Sequence, residues 1–180
     1  MRTVVFTDMV GHTEMMSRLG DERGRAVLQA YERLTRDALA RFGGREIKSL
    51  GDGFMASFGS VTKAVECAVA LQRAFALTPD PSPEAPPRPS PPGGRQSAFP
   101  LSIRCGLNAG EPIEDEGDLF GSSVILASRI AAKAEGGEIF ASLAVRELCA
   151  GKGFLFADLG EHELRGFEDP VKIFEVKWKE

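Results

Sequence analysis

Apolar and polar positions along the chain change period several times, and each change marks an element. Residues 2–8 (RTVVFTD) form a short apolar run that closes on an acid, which predicts a buried strand. Thr13 is a helix N-cap residue type, and the period after it is helical as far as Phe42. The later part of that stretch places Leu28, Tyr31, Leu34, Ala38 and Phe42 on one stripe, which Gly43-Gly44 stops. Residues 45–58 alternate around Gly51-Asp52-Gly53 with Phe54, Ala56 and Phe58 on one face, the pattern of a hairpin. Val61, Ala64, Val65, Ala68, Leu71 and Phe75 predict a helix over 61–77, and Leu101, Ile103, Cys105 and Leu107 alternate as a strand. The acidic stretch GEPIEDEGD reads as turns, and a helix over 123–134 follows and ends at Gly136-Gly137. Short strands at 138–141 and 171–177, with a small helix at 143–149 between them, close the pattern. One strand, two helices, a hairpin, then helix, strand, helix and strands predict an α+β fold with a largely antiparallel sheet.

Proline interrupts this order once. Nine of the eleven prolines lie in 79–100, a stretch with few backbone donors and little to bury. It reads as a long exposed loop inside a single domain spanning 1–180, because neither flank looks complete without the other. A PxxP-reading partner for this loop is the less favoured reading.

The 180 residues suffice for one domain with a real core, and 43% hydrophobic with 27% charged residues is the usual balance of a globular chain. The 22 Lys+Arg against 26 Asp+Glu argue against a general nucleic-acid binder, which needs a basic surplus. No apolar run reaches the length of a membrane helix, and the chain starts too short of apolar residues for a signal peptide. Cys67, Cys105 and Cys149 stand apart, with no CxxC, so neither disulfides nor a thiolate zinc site is indicated. A reduced, cytoplasmic protein without a membrane segment is expected.

Two acids occupy unusual places. Asp8 ends the first strand, just before Gly11-His12-Thr13 and a helix start, and Asp52 sits at the tip of the hairpin turn. Paired beside each other, the strand and hairpin would project both carboxylates from one edge of the sheet, a common way to hold Mg²⁺ against nucleotide phosphates. The helix start would offer free amides to an anion. The plainer reading makes Asp52 a turn residue and Asp8 a solvated strand end. Their joint occurrence beside a glycine-bearing strand–helix junction favours the metal.

The segments FTDMVGHT (6–13), GGREIKSLGDGFMASF (43–58), IRCGLNAGE (103–111), GDLFGSSVILASRI (117–130), GGEIFAS (136–142) and ELRGF (163–167) together resemble the catalytic domain of class III nucleotidyl cyclases. They occur in that family's order and cover nearly the whole chain outside the proline stretch. The resemblance implies a ferredoxin-like, palm-type α+β fold, a head-to-tail homodimer and conversion of a nucleoside triphosphate to its 3′,5′-cyclic monophosphate and pyrophosphate. It implies two Mg²⁺ or Mn²⁺ ions held by Asp8, Asp52 and the Met9 carbonyl, with Phe6 through Thr13, including Gly11 and His12, cradling the triphosphate. Lys48 and Asp118 match the purine-reading pair. A lysine donor and a carboxylate acceptor suit N1 and the amino group of adenine, so ATP is the expected substrate. Arg129 matches the arginine that stabilises charge on the transferred phosphoryl group. Arg165, or Lys172 beyond it, stands near the place of a triphosphate-contacting lysine.

One position departs from the pattern. Four residues before that arginine the family has a ribose-orienting asparagine, and here Ile125 stands in its place, on the same helix face as Arg129. Isoleucine donates no hydrogen bond, so lowered turnover is expected. Two rivals remain at this point: a catalytically silent nucleotide-binding homologue acting as a signalling module, and a diguanylate cyclase, whose turn normally reads GGDEF where this chain reads LGDGF. In the family the metal aspartates come from one subunit and the purine pair, the asparagine position and the arginine from the other. One chain would then hold half of each site.

Overall fold

The computed structural model describes residues 1–77 and 102–179, so the proline-rich stretch at 79–100 and Leu101 lie outside the described residues. The first strand, β1 (Arg2–Val10), lies mid-sheet between β3 (Gly53–Phe58) and β4 (Ser102–Gly110), antiparallel to both. β2 (Arg45–Ser49) extends the sheet beyond β3. On the other side β4 pairs in parallel with β7 (Ile139–Ser142), followed by β9 (Val171–Lys177) and the edge strand β8 (Leu155–His162). Five of the six strand pairs are antiparallel, as the sequence pattern predicts. Two short strands, β5 (Ile113–Asp115) and β6 (Asp118–Phe120), form a separate hairpin.

The alternation of side chains assigns the two faces of the sheet. Val5 and Met9 of β1, Phe54, Ala56 and Phe58 of β3, and Ile103, Cys105 and Leu107 of β4 share one apolar cluster. It includes Tyr31 of α1 (His12–Phe42), Leu71 and Phe75 of α2 (Val61–Leu77) and Val145 of α4 (Leu143–Leu148). The opposite face carries Val4 and Met55 under Val124 and Ala127 of α3 (Ser122–Lys133), with Phe6 packed against them. The Tyr31 hydroxyl donates to the Thr7 carbonyl at 3.3 Å, which ties the middle of α1 to β1 beside Asp8. Helix α3 lies close on the sheet because position 106 is glycine: a Cβ there would come within 2.4 Å of the Ala131 amide nitrogen.

Four local expectations need correction. β1 runs two residues past Asp8, because Met9 and Val10 still pair with Ile103 and Ser102. α1 is capped by Gly11 in a left-handed conformation (φ 85°) and starts at His12, so Thr13 is inside it and makes no side-chain cap. The stretch read as turns contains β5 and β6, whose three-residue strands are too short to leave a period-2 trace. β8 had no prediction at all. It is a half-exposed edge strand whose pairing with β9 shifts register between Asp158 and Glu161, which breaks the alternation. The two helices expected after β1 are α1 itself, broken at Gly20 (φ 79°, ψ 171°). Among the described residues no helix is long and apolar enough to cross a membrane.

Candidate active site

The hairpin tip and the end of β1 come together. Asp8 lies opposite Gly53, and the Met9 amide donates to the Asp52 carbonyl at 2.9 Å, which holds the turn against the strand. Gly53 is required by this approach, since a Cβ there would stand 2.7 Å from the Thr7 carbonyl oxygen and 3.4 Å from Asp8 Oδ1. Burial raises the Asp8 pKa, the Arg104 hydrogen bonds oppose that, and the Asp52 charge adds to the rise. Two carboxylates close enough to feel each other are the electrostatic setting a divalent cation relieves. The Met9 side chain is buried in the core on the other face, so only its backbone is available to this edge.

Immediately after β1 the chain turns at Gly11 into α1, whose first amides have no side-chain cap. His12 is half-buried and its Nε2 has no hydrogen-bond partner. Open amides at a helix start, next to two carboxylates that can hold a cation, form a place for a metal-bound polyphosphate. Phe6 packs into the α3-side cluster and offers this edge no polar group.

Lys48 and Asp118 also meet. β2 bulges between Glu46 and Lys48, and the Lys48 ammonium donates to Asp118 Oδ2 at 3.0 Å, 6.0 Å from the centre of the Phe120 ring. The hydrogen bond from Lys48, with a second from the Leu119 amide, lowers the Asp118 pKa. Ile125 and Arg129 follow on α3. The Arg129 Nε donates to the Arg165 carbonyl at 3.1 Å, which fixes the helix to the loop after β8, and Ile125 stays 46% exposed. Lys172 is paired with Asp158 at 3.3 Å on the outer β8–β9 ladder. Among the described residues, no hydrogen bond or ion pair joins the Asp8–Asp52 edge to the Lys48–Asp118 pair or to Arg129. A groove of about 730 Å³ along α2, between Phe42, Phe154 and Trp178, touches none of these residues.

Sequence reasoning missed one participant. Arg104 of β4 lies directly opposite Asp8 and sends Nε and Nη2 to Asp8 Oδ2 at 3.2 and 2.9 Å. The odd residues of β4 carry the apolar alternation into the core, so an arginine at an even position had to face α3. That parity was the available signal.

The family model for the adenylate and guanylate cyclase catalytic domain matches residues 2–177, and the chain belongs to this family. A protein of Rhizobium meliloti (strain 1021), provisionally named adenylate cyclase 3, is 31% identical over 172 residues, 95% of this chain and 27% of that one. The chain thus spans about a quarter of that relative, and 9% of the adenylate cyclase of Neurospora crassa, to which it is also 31% identical. Among solved structures, an adenylate cyclase of Trypanosoma brucei in its monomeric state superposes with a TM-score of 0.82 at 25% identity, covering 97% of this chain and 87% of that one. The guanylyl cyclase Cya2 superposes with a TM-score of 0.77 at 26% identity, covering 97% and 90%. The fold is that of the class III cyclase catalytic domain, and the enzyme class at family level is a nucleotide cyclase.

Proposed function

We propose that the domain converts ATP to 3′,5′-cyclic AMP and pyrophosphate at composite sites between two copies of the chain. The Lys48–Asp118 pair carries the choice of base. Its donor and acceptor are already 3.0 Å apart, and they match the N1 acceptor and amino donor of adenine, whereas guanine presents the opposite polarity.

The oxygen donors at the Asp8–Asp52 edge fit a hard divalent cation. Among the described residues no three or more His, Cys, Asp or Glu side chains cluster as a metal site. Two carboxylates and the Met9 carbonyl therefore form a partial shell that substrate phosphates and water would complete, the usual state of Mg²⁺ or Mn²⁺ in nucleotide enzymes. Bound there, such ions would supply a lowered pKa for the ribose 3′-hydroxyl and neutralisation of the departing pyrophosphate. The open amides after Gly11 receive phosphate oxygens, and Arg129, with Arg165 beside it, faces the negative charge that builds during transfer. Ile125 places a hydrocarbon where a ribose hydrogen bond is expected, so turnover is low.

Two observations support a second copy. The Lys48–Asp118 and Arg129 groups make no contact with the metal edge of their own chain. Ile113, Phe120 and Ile125 are also 66%, 48% and 46% exposed around one hairpin and helix start.

Purified protein with Mn²⁺ and ATP should accumulate 3′,5′-cyclic AMP, and Asp8→Ala should remove that activity with an unchanged circular dichroism spectrum. Tight ATP binding without product would favour the silent homologue instead, and cyclic GMP made from GTP in preference to ATP would overturn the base assignment.

A further inference from the structure

Asp8 and Arg104 face each other across the β1–β4 ladder on the side covered by α3. The guanidinium makes a three-way junction. Nε and Nη2 both donate to Asp8 Oδ2, at 3.2 and 2.9 Å, while Nη1 lies 3.4 Å from the carbonyl oxygens of Ala132 and Ala134 at the end of α3. All of Arg104's attachment to the carboxylate is therefore spent on one oxygen. The other, Oδ1, is the atom nearest position 53 of the hairpin, the residue after Asp52. Both side chains are 30% exposed, so the pair is shielded from water without being closed to it.

This division matters for any cation held between Asp8 and Asp52. A free carboxylate at a strand end can turn about its Cα–Cβ and Cβ–Cγ bonds and offer either oxygen in either direction. With Oδ2 occupied, that rotation stops, and Oδ1 is left presented to the turn. Arginine suits the task because its planar fork grips the acid with two nitrogens and has a third left for an anchor, which a lysine ammonium cannot reproduce at these separations. The anchor is favourable in itself, since a cation at a helix C-terminus meets carbonyls and the negative end of the dipole. Arg104 thus has partners of its own on both sides.

We propose that Arg104 is a positioning residue for the metal site, which holds Asp8 by Oδ2 so that Oδ1 is aimed at the cation shared with Asp52. This rests on the metal reading given above. The guanidinium stays in place when the cation enters, because its helix-end anchor does not depend on Asp8. The opposite role, a built-in cation that occupies the site and is expelled by the metal, predicts the opposite sign for its removal.

Mn²⁺ binding to the purified full chain, followed by electron paramagnetic resonance without nucleotide, separates the two. Arg104→Gln should weaken Mn²⁺ binding about tenfold or more, the loss usual for a group that orients a metal ligand. Arg104→Lys, which keeps the charge and loses the fork, should recover only part of it. The Mn²⁺ concentration for half-maximal cyclisation should rise in parallel, while KM for ATP at saturating Mn²⁺ changes less than twofold. Unchanged or tighter Mn²⁺ binding in both variants, with thermal midpoints near wild type, overturns the proposal. Asp8→Asn distinguishes this from failure of the underlying reading: if it binds Mn²⁺ as wild type does, Asp8 is no ligand and Arg104 has nothing to position.

Discussion

Ile125 is the residue at which this chain departs from its family, and the structure sharpens what the departure costs. It sits at an exposed point of α3, one turn before Arg129, so an asparagine fits there without repacking the core. One hydrogen bond recovered in the transition state is worth about 1 kcal/mol, a factor of about five in rate. Ile125→Asn should raise kcat by about that factor in a cyclic AMP assay, and an unchanged or lower rate would show that the ribose is held otherwise. The cysteines make a different residue-scale prediction. Burial pushes the Cys67 thiol up to about 12 from 9.0 and raises Cys105 and Cys149 as well, while buried Tyr31 shifts in the same direction from 10.0. Groups whose pKa is raised by folding stay protonated in the native state after the unfolded chain has begun to ionise. Their contribution is whole below about pH 9 and is lost as pH rises further. The thermal midpoint should therefore fall steadily between pH 9 and 11, and a thiol reagent at pH 8 should label all three cysteines only after denaturation.

At the scale of elements, α3 is the piece on which the site depends, and Gly106 is what lets it lie where it does. A methyl at 106 would meet the Ala131 backbone at 2.4–2.5 Å, and since no flexible side chain can yield there, the helix itself must lift. Gly106→Ala should cost about 1–3 kcal/mol, a fall of about 4–10 °C in a melt, and should lower activity because Arg129 travels with the helix. Gly59→Ala, where a Cβ meets only Arg2 Nη1 at 4.0 Å, should leave the melt unchanged and serves as the control. The same scale shows how much the sequence disclosed. Elements that bury one complete face were legible, because burial writes a period into the residues: β1, β3, α2, α3 and β4 stand within two residues of their expected bounds. β8 and the β5–β6 hairpin bury little and left no period to read. Asp8, Asp52, Lys48 and Asp118 were found through motif order and proved to be two adjacent pairs. Arg104 escaped because its meaning lies in a cross-strand register, which no local pattern carries.

At the scale of the whole molecule, the arrangement makes one chain an incomplete enzyme. The metal edge lies on β1 and the hairpin tip, while Arg129 lies on α3 bonded to the far loop, and apolar Ile113, Phe120 and Ile125 remain uncovered between hairpin and helix. A two-fold dimer would bring the metal edge of each copy to the α3 residues of the other and cover the apolar group in the same step. This geometry makes a quantitative prediction that no monomeric mechanism shares. Asp8→Ala and Arg129→Ala chains are each inactive alone, because every site in either homodimer lacks one group. In a mixed dimer one site collects both defects and the other collects none. Random pairing in an equal mixture gives half mixed dimers, each with one working site of two, so mixing the two dead variants should restore about a quarter of wild-type activity. Recovery should vanish when both substitutions are placed on the same chain and mixed with either parent. If the mixture stays as inactive as its components while sedimentation shows that the chains exchange, both groups serve the same site within one chain, and the composite arrangement is wrong.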